Sequence, residues 1–255
     1  MVSKSSESRP SEHGWPVWLN TAKTVVAAVL LALGVRTALA EPFHVPSGSM
    51  EPTLLIGDYL FASKFAYGYS RYSLPFGFAS FSGRILDNPP ARGDIVIFKL
   101  PRDPRETYVK RVIGLPGDHV QVAGGVLIIN DQPVAVRRIA DFVDDTTGGT
   151  RIPQFIETLP GGLEHHILHE MRLGDLDNTP VFQVPPGHYF MMGDNRSNSL
   201  DSRVPATEGG VGFVPEDNLI GRADLRYFSV DLDTDWTDPA AWPRALRLDR
   251  LGLIG

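Results

Sequence analysis

After residue 41 the chain breaks into short apolar runs separated by turn residues, and no later stretch keeps a helical period long enough to build a helical core. Asp94-Ile-Val-Ile-Phe-Lys99, Tyr108-Val-Lys-Arg-Val-Ile113, His119-Val-Gln-Val122 and Val126-Leu-Ile-Ile129 have the β-branched and aromatic content of strands, with Gly-Asp and Pro-Gly-Asp steps between runs. With 25 Gly and 21 Pro in 255 residues, this portion is expected to be mostly β. Residues 124–185 have sparser turn signals and polar stretches such as Asp144-Asp-Thr-Thr-Gly-Gly149, so they read as a smaller β-rich region inserted into a core of residues 44–123 and 186–255.

The N-terminal portion is different in kind. Residues 1–21 read as a disordered tail, because the first 14 are polar and Ser-rich and cannot bury enough surface to offset chain entropy. An apolar run, Val25 to Val35, follows Lys23 and precedes Arg36-Thr-Ala-Leu-Ala40. Its 11 residues fall short of the ~20 that a spanning helix needs, and Ala38-Leu-Ala40 imitates a signal-peptide cleavage site. The other reading is an anchor over residues 22–43, ~33 Å long at 1.5 Å per residue, with Arg36 snorkelling to the headgroups. Lys4, Arg9 and Lys23 place the N-terminal side in the cytoplasm under the positive-inside rule.

Composition removes several functions. A net charge of -6 and a pI near 5.6 give no basic footprint for nucleic acid. The absence of cysteine excludes disulfides, thiolate nucleophiles and Cys-ligated zinc.

Three segments could carry chemistry. In Ser47-Gly48-Ser49 a serine beside glycine in a tight turn can be exposed with its N–H available to an oxyanion, although most such turns are only turns. Lys110 is one of five lysines among 24 Lys and Arg residues. Strand alternation puts it on one face with Tyr108 and Val112, while Arg111 points away with Val109 and Ile113. A desolvated lysine can lose the ~3 units of pKa that a general base requires; the plain alternative is a snorkelling surface lysine. The third segment, Gly193 to Arg203, is a loop dense in hydrogen-bonding groups after the apolar Tyr189-Phe-Met-Met192, and its Asn195-Arg-Ser197 fits a glycosylation sequon too common to weigh.

Rival chemistries are poorly supported. His165 and His169 are four apart, but the His-Glu-x-x-His order of a zinc helix is absent and the cluster reads as a solvated strand. Asp145-Thr-Thr-Gly148 lacks the compact Asp-Thr-Gly turn, and Gly-x-Ser-x-Gly is missing. Arg92-Gly-Asp94 could suggest an adhesive module but is the expected turn into a strand. His44 and His188 read as polar strand-edge residues. No cofactor or metal is expected.

Taken in order, Glu41 to Asp58, Arg92 to Phe98, Tyr108 to Asp118, Gly193 to Arg203 and Gly212 to Arg222 resemble the successive sequence boxes of bacterial type I signal peptidases, over roughly residues 25–250. The resemblance implies a membrane-bound Ser-Lys serine endopeptidase that cleaves Ala-x-Ala signal peptides from exported preproteins. By the same resemblance Ser49 is the nucleophile, Lys110 the general base, and Ser47 the hydroxyl that joins the Ser49 N–H in the oxyanion hole. Ser199 would orient Lys110; Asp201 with Arg203, and Asp194 with Arg111, would form supporting ion pairs. Phe43, Val45, Met50, Tyr108 and Val109 would contribute to the substrate cleft. Ser197 and Leu200 depart from residues common in the family, aspartate and alanine, and are expected to lie away from the chemistry.

A barrel-like β core behind a single transmembrane helix, on the extracytoplasmic side of the bacterial plasma membrane, is the implied architecture, with the lipid bilayer and signal peptides as partners and a monomer as the assembly. Ser49 follows Ala40 by nine residues, within ~30 Å of the membrane exit, which favours a retained anchor over a cleaved signal. The C-terminal stretch from Trp242 could pack on the core or rest on lipid.

Overall fold

The computed structural model describes residues 17–38, 40–73, 82–144, 149–170, 174–235 and 237–254. Most of the expected tail, Leu39 of the Ala38-Leu-Ala40 stretch, and residues 145–148 lie outside the described residues. The chain divides into two units, residues 1–36 and 37–255.

In the first unit lies helix α1, Val17–Ala38, whose final residues extend just past the division. Its Val25–Val35 stretch is rich in alanine and leucine, which favour helix. The anchor was expected to run to Phe43; instead the helix stops at Ala38 and residues 40–44 are a strand. Pro42 offers no N–H to a helix and biases Glu41 toward extended backbone, which accounts for the earlier stop. Polar residues Asn20, Thr21, Lys23 and Thr24 dilute the apolar stretch from the other end. Among the described residues no helix is long and apolar enough to cross a membrane.

The second unit is mostly β. Its strands are β1 (Ala40–His44), β2 (Asp58–Ser63), β3 (Ile95–Leu100), β4 (Asp103–Gly114), β5 (His119–Ala123), β6 (Val126–Ile129) and β7 (Gln132–Pro133). They continue with β8 (Ala135–Arg138), β9 (Phe142–Asp144), β10 (Thr150–Ile152), β11 (Gln154–Thr158), β12 (Glu164–Leu168) and β13 (Phe182–Gln183). The last four are β14 (His188–Met192), β15 (Val214–Pro215), β16 (Leu219–Ser229) and β17 (Gly252–Leu253). The principal sheet runs β1-β2-β16-β3-β4-β14-β15, with β17 beside β16. Smaller sheets hold β13-β5-β6-β7, β12-β11-β8 and β10-β9. Strand β5 hydrogen-bonds to β6 and β13 and not into the principal sheet.

Alternation gives the principal sheet two apolar faces. On β3, Val96, Phe98 and Leu100 pack with Val112, Tyr189 and Met191, while Ile95 and Ile97 turn to Val45, Met50, Leu54 and Leu60. Ile113, on β4, joins a third cluster with Val120, Leu127 and Phe190, which docks the four-stranded sheet. The principal sheet keeps two open edges. β1 ends the sheet order, and β14 pairs with β4 only at Arg111, Val112 and Gly114, so Thr107 to Lys110 have β3 on one side and no strand on the other among the described residues.

The C-terminal segment packs on the core. It includes helix α2, Trp242–Ala245, and strand β17, while Arg250 donates to the buried Asp58 carboxylate at 2.9 Å. Leu248 and Leu253 remain exposed.

Candidate active site

A cleft of about 360 Å³ opens between the free edges of β1 and β4. Phe43, Val45, Ser47 and Ser49 line one wall, Tyr108, Val109 and Lys110 the other. Ile97 and Leu60 contribute apolar surface from the strands between.

Ser49 sits in a single helical turn, Gly48–Met50, and Lys110 comes from β4. The Lys110 amine is 2.6 Å from Ser49 Oγ and donates to the Val109 carbonyl at 3.0 Å. Both side chains are buried, Lys110 to 3 % exposure, and the Tyr108 ring centroid lies 5.4 Å from the amine. Desolvation lowers the Lys110 pKa to about 8; the carboxylates of Asp201 and Asp194 work against that fall, and Arg203 works with it. Near neutral pH the amine is thus partly unprotonated. Ser47 Oγ stands 3.4 Å from Ser49 Oγ.

The loop from Gly193 to Arg203 braces this pair from behind. Arg111 makes a two-pronged contact with Asp194, 2.8 and 2.7 Å, and both are almost wholly buried. Burial would raise Asp194, but the Arg111 guanidinium, with smaller contributions from His165 and the Thr53 hydroxyl, holds the carboxyl below its ordinary range. Asp201 accepts from Arg203 at 2.8 and 2.9 Å and from the Gly193 N–H at 3.0 Å; burial would raise its pKa, but Arg203, the Gly193 N–H and the Ser199 hydroxyl together hold it below its ordinary range. Gly193 is required by close approach: a Cβ there would lie 2.4 Å from the Ser49 carbonyl oxygen and 2.2 Å from Ser199 Oγ. Arg196 in turn donates twice to buried Glu157 on β11, at 2.7 and 2.5 Å.

Some residues are placed differently from their sequence reading. Met50 is fully buried against Leu54 and Leu60 instead of lining the cleft, because the turn that presents Ser49 sends the next side chain inward. Ser199 Oγ is buried beside the Asp201 carboxylate, whose pKa it helps to lower, while the Lys110 amine is bonded to Ser49 and Val109. Leu200, expected away from the chemistry, lines the cleft and is 42 % exposed. His165 lies on a strand but is buried, not solvated, and desolvation lowers its pKa to about 4, leaving it neutral. Arg92 of the Arg-Gly-Asp step is tied to Asp118 at 2.9 Å, and the Gly93 carbonyl accepts from Arg111 at 2.7 Å.

The fold also brings to the site residues that local pattern did not single out. Ile97 pairs in register with Val109, and composition does not encode register. Asn195 stood out only as part of a sequon; it is 4 % exposed, and its amide nitrogen is engaged by Gly48 and Glu51.

Residues 18–228 match the family described as signal peptidase, peptidase S26. The chain is 36 % identical over 269 residues to "Signal peptidase I" of Rickettsia massiliae, covering 97 % of this chain and 94 % of that protein. It is 39 % identical over 241 residues to the protein of the same name in Rickettsia typhi, covering 88 % of each. A crystal structure of a signal peptidase I from Enterococcus faecalis aligns with 53 % of this chain and 97 % of that one, at 26 % identity and a TM-score of 0.32.

Proposed function

The chain belongs to the signal peptidase, peptidase S26, family and is a serine-type endopeptidase, and from that premise we propose that Ser49 and Lys110 form a Ser-Lys dyad that removes Ala-x-Ala signal peptides from exported preproteins. The observation that carries this reading is the 2.6 Å approach of the Lys110 amine to Ser49 Oγ inside an apolar cleft.

In the proposed reaction the neutral amine of Lys110 takes the Ser49 proton as Oγ attacks the scissile carbonyl. The oxyanion forms between the Ser49 N–H and the Ser47 hydroxyl. Collapse expels the new N-terminal amine, which takes the proton from Lys110, and leaves an acyl ester on Ser49. The same lysine then deprotonates water, which attacks the ester and frees Ser49. Asp194 with Arg111, and Asp201 with Arg203, position the dyad and exchange no proton.

The preprotein is held as an added strand. Val45 bonds β2 through its N–H, donated to the Asp58 carbonyl at 2.8 Å, so by alternation His44 turns its backbone outward to the cleft. The edge of β4 from Thr107 to Lys110 faces it. Two free edges flanking one apolar cleft suit an extended peptide. The modest cleft and the bulk of Leu200 favour small side chains such as alanine.

We further assign α1 as the attachment to the bacterial plasma membrane, with the second unit on the extracytoplasmic side and the protein acting as a monomer. The apolar Val25–Val35 stretch and the preceding Lys23 support this assignment. Two experiments test the reading. Detergent-solubilised protein should cleave an Ala-x-Ala preprotein, and Ser49→Ala or Lys110→Ala should abolish cleavage; undiminished activity in either variant would refute the dyad. Membrane fractionation checks α1: recovery of the full chain in the soluble fraction would refute the anchor.

A further inference from the structure

We infer that Asn195 is a positioning residue for the oxyanion hole, locking the Gly48–Ser49 peptide so that the Ser49 N–H faces the reacting carbonyl. The inference rests on Ser49 being the nucleophile and goes beyond it, because it concerns the far side of the turn.

The Asn195 side-chain amide donates to the Gly48 carbonyl at 3.2 Å and to Glu51 Oε2 at 3.4 Å. Its backbone N–H donates to the Ser49 carbonyl at 3.1 Å. The Glu51 N–H adds a second bond to the Gly48 carbonyl at 3.1 Å. The orientation of the amide is determined by its partners, since a carbonyl oxygen can only accept and the NH₂ end must therefore face it.

A peptide group is planar and trans, so its C=O and N–H point in opposite directions. The C=O of Gly48 and the N–H of Ser49 belong to one such group. Two donors that hold the carbonyl inward, where Asn195 and Glu51 are buried, aim the N–H outward to the side where Ser47 and Ser49 line the cleft. Hydrogen bonding at the carbonyl also polarises the group and strengthens its N–H as a donor. Gly48 makes the arrangement possible: a Cβ there would meet Glu51 Oε2 at 2.6 Å and push the carboxylate out from beneath the turn.

The clamp has a rigid base. Asn195 follows Asp194, whose carboxylate is gripped by Arg111 and whose carbonyl accepts the Leu168 N–H at 2.9 Å. Arg196, the next residue, is fastened to Glu157. The Asn195 amide nitrogen is thus committed to the turn, which also explains why the sequon around it is not displayed.

The test replaces the side chain and keeps the backbone bond to Ser49. Asn195→Ala should lower kcat about tenfold with KM unchanged within twofold. Affinity for a peptide boronate, which forms a tetrahedral adduct on Ser49 Oγ, should fall by the same factor, and the acid limb of the pH-rate profile should stay where it is. Asn195→Leu, close in volume and without any donor, removes the hydrogen bond without opening a cavity and should lose at least as much. If Asn195→Ala does not fold, Asn195→Leu alone decides. A kcat within twofold of wild type in the folded variants, or a loss carried by KM with boronate affinity unchanged, would overturn the inference. Ser49→Ala run alongside separates the two claims: activity there refutes the dyad, whereas an inactive Ser49→Ala beside a fully active Asn195→Leu refutes only the role of Asn195.

Discussion

The Lys110 amine meets the Ser49 hydroxyl at 2.6 Å although 61 residues of chain separate them. Ser49 arrives from the turn after β1 and Lys110 from β4, strands that lie four places apart in the principal sheet. The approach therefore depends on curvature of the sheet bringing these two edges to one cleft. It sets an amine where water is scarce, and that is the origin of its lowered pKa.

The first prediction concerns pH. With the Lys110 pKa lowered to about 8, the protonated amine cannot accept the Ser49 proton, so kcat/KM should rise with pH through about 8. Asp201→Asn removes the carboxylate that most opposes the fall, so its acid limb should move to lower pH. An acid limb near the ordinary lysine value in wild type would remove the proposed base.

A second prediction concerns the buried pair. Arg111→Met leaves Asp194 1 % exposed and without its counter-ion, which should destabilise the fold by about 3–5 kcal/mol. Chemical denaturation checks the value, and Arg111→Met with Asp194→Asn should recover part of the loss.

Gly193→Ala isolates steric support. The added methyl cannot stand 2.4 Å from the Ser49 carbonyl oxygen, so the turn must shift. Activity should drop at least tenfold, on the principle that small misplacement of reacting groups is amplified in rate. Unchanged kcat would show that the loop does not brace Ser49.

Leu200→Ala should widen the cleft. Preproteins with residues larger than alanine near the cleavage site should improve by roughly tenfold in kcat/KM, the order expected when apolar bulk is removed from a pocket. Competition between alanine and larger side chains at the cleavage site measures the change.

Glu51 offers a test read from folding stability instead of from activity. Burial raises its pKa from 4.5 to about 7, with Asp144 adding to the rise. A carboxyl with a raised folded pKa contributes stability that is fully present below 4.5 and is lost as pH climbs to about 7. Glu51→Gln should flatten that window, with wild type losing on the order of 1–3 kcal/mol relative to the variant between its ends. Denaturation midpoints at pH 4.5 and 8 provide the comparison.

Much was legible from local pattern, because strands and turns are encoded by neighbours. Alternation along Tyr108 to Ile113 identified the faces of β4, and Gly-Asp steps marked the turns before β2 and β3. The mostly β character and the segments bearing Ser49, Lys110 and the Gly193–Arg203 loop are properties of the sequence alone. The family resemblance also attached roles to residues, but not their contacts.

Tertiary structure decided the remainder, because register, close approach and burial are set by partners distant in the chain. The pairing of β1 with β2, Ala40 opposite Ser63 and His44 opposite Tyr59, is a register that no local pattern specifies. The turn at Gly48 directs Ser49 to the cleft and Met50 to the core, although the two are adjacent in sequence. Leu200 enters the cleft wall and Asn195 goes beneath the Gly48–Met50 turn in a loop fastened by the ion pairs of Arg111 with Asp194 and Arg203 with Asp201. Local sequence determined which groups the chain carries; packing in a water-poor interior decided which of them meet and at what pKa.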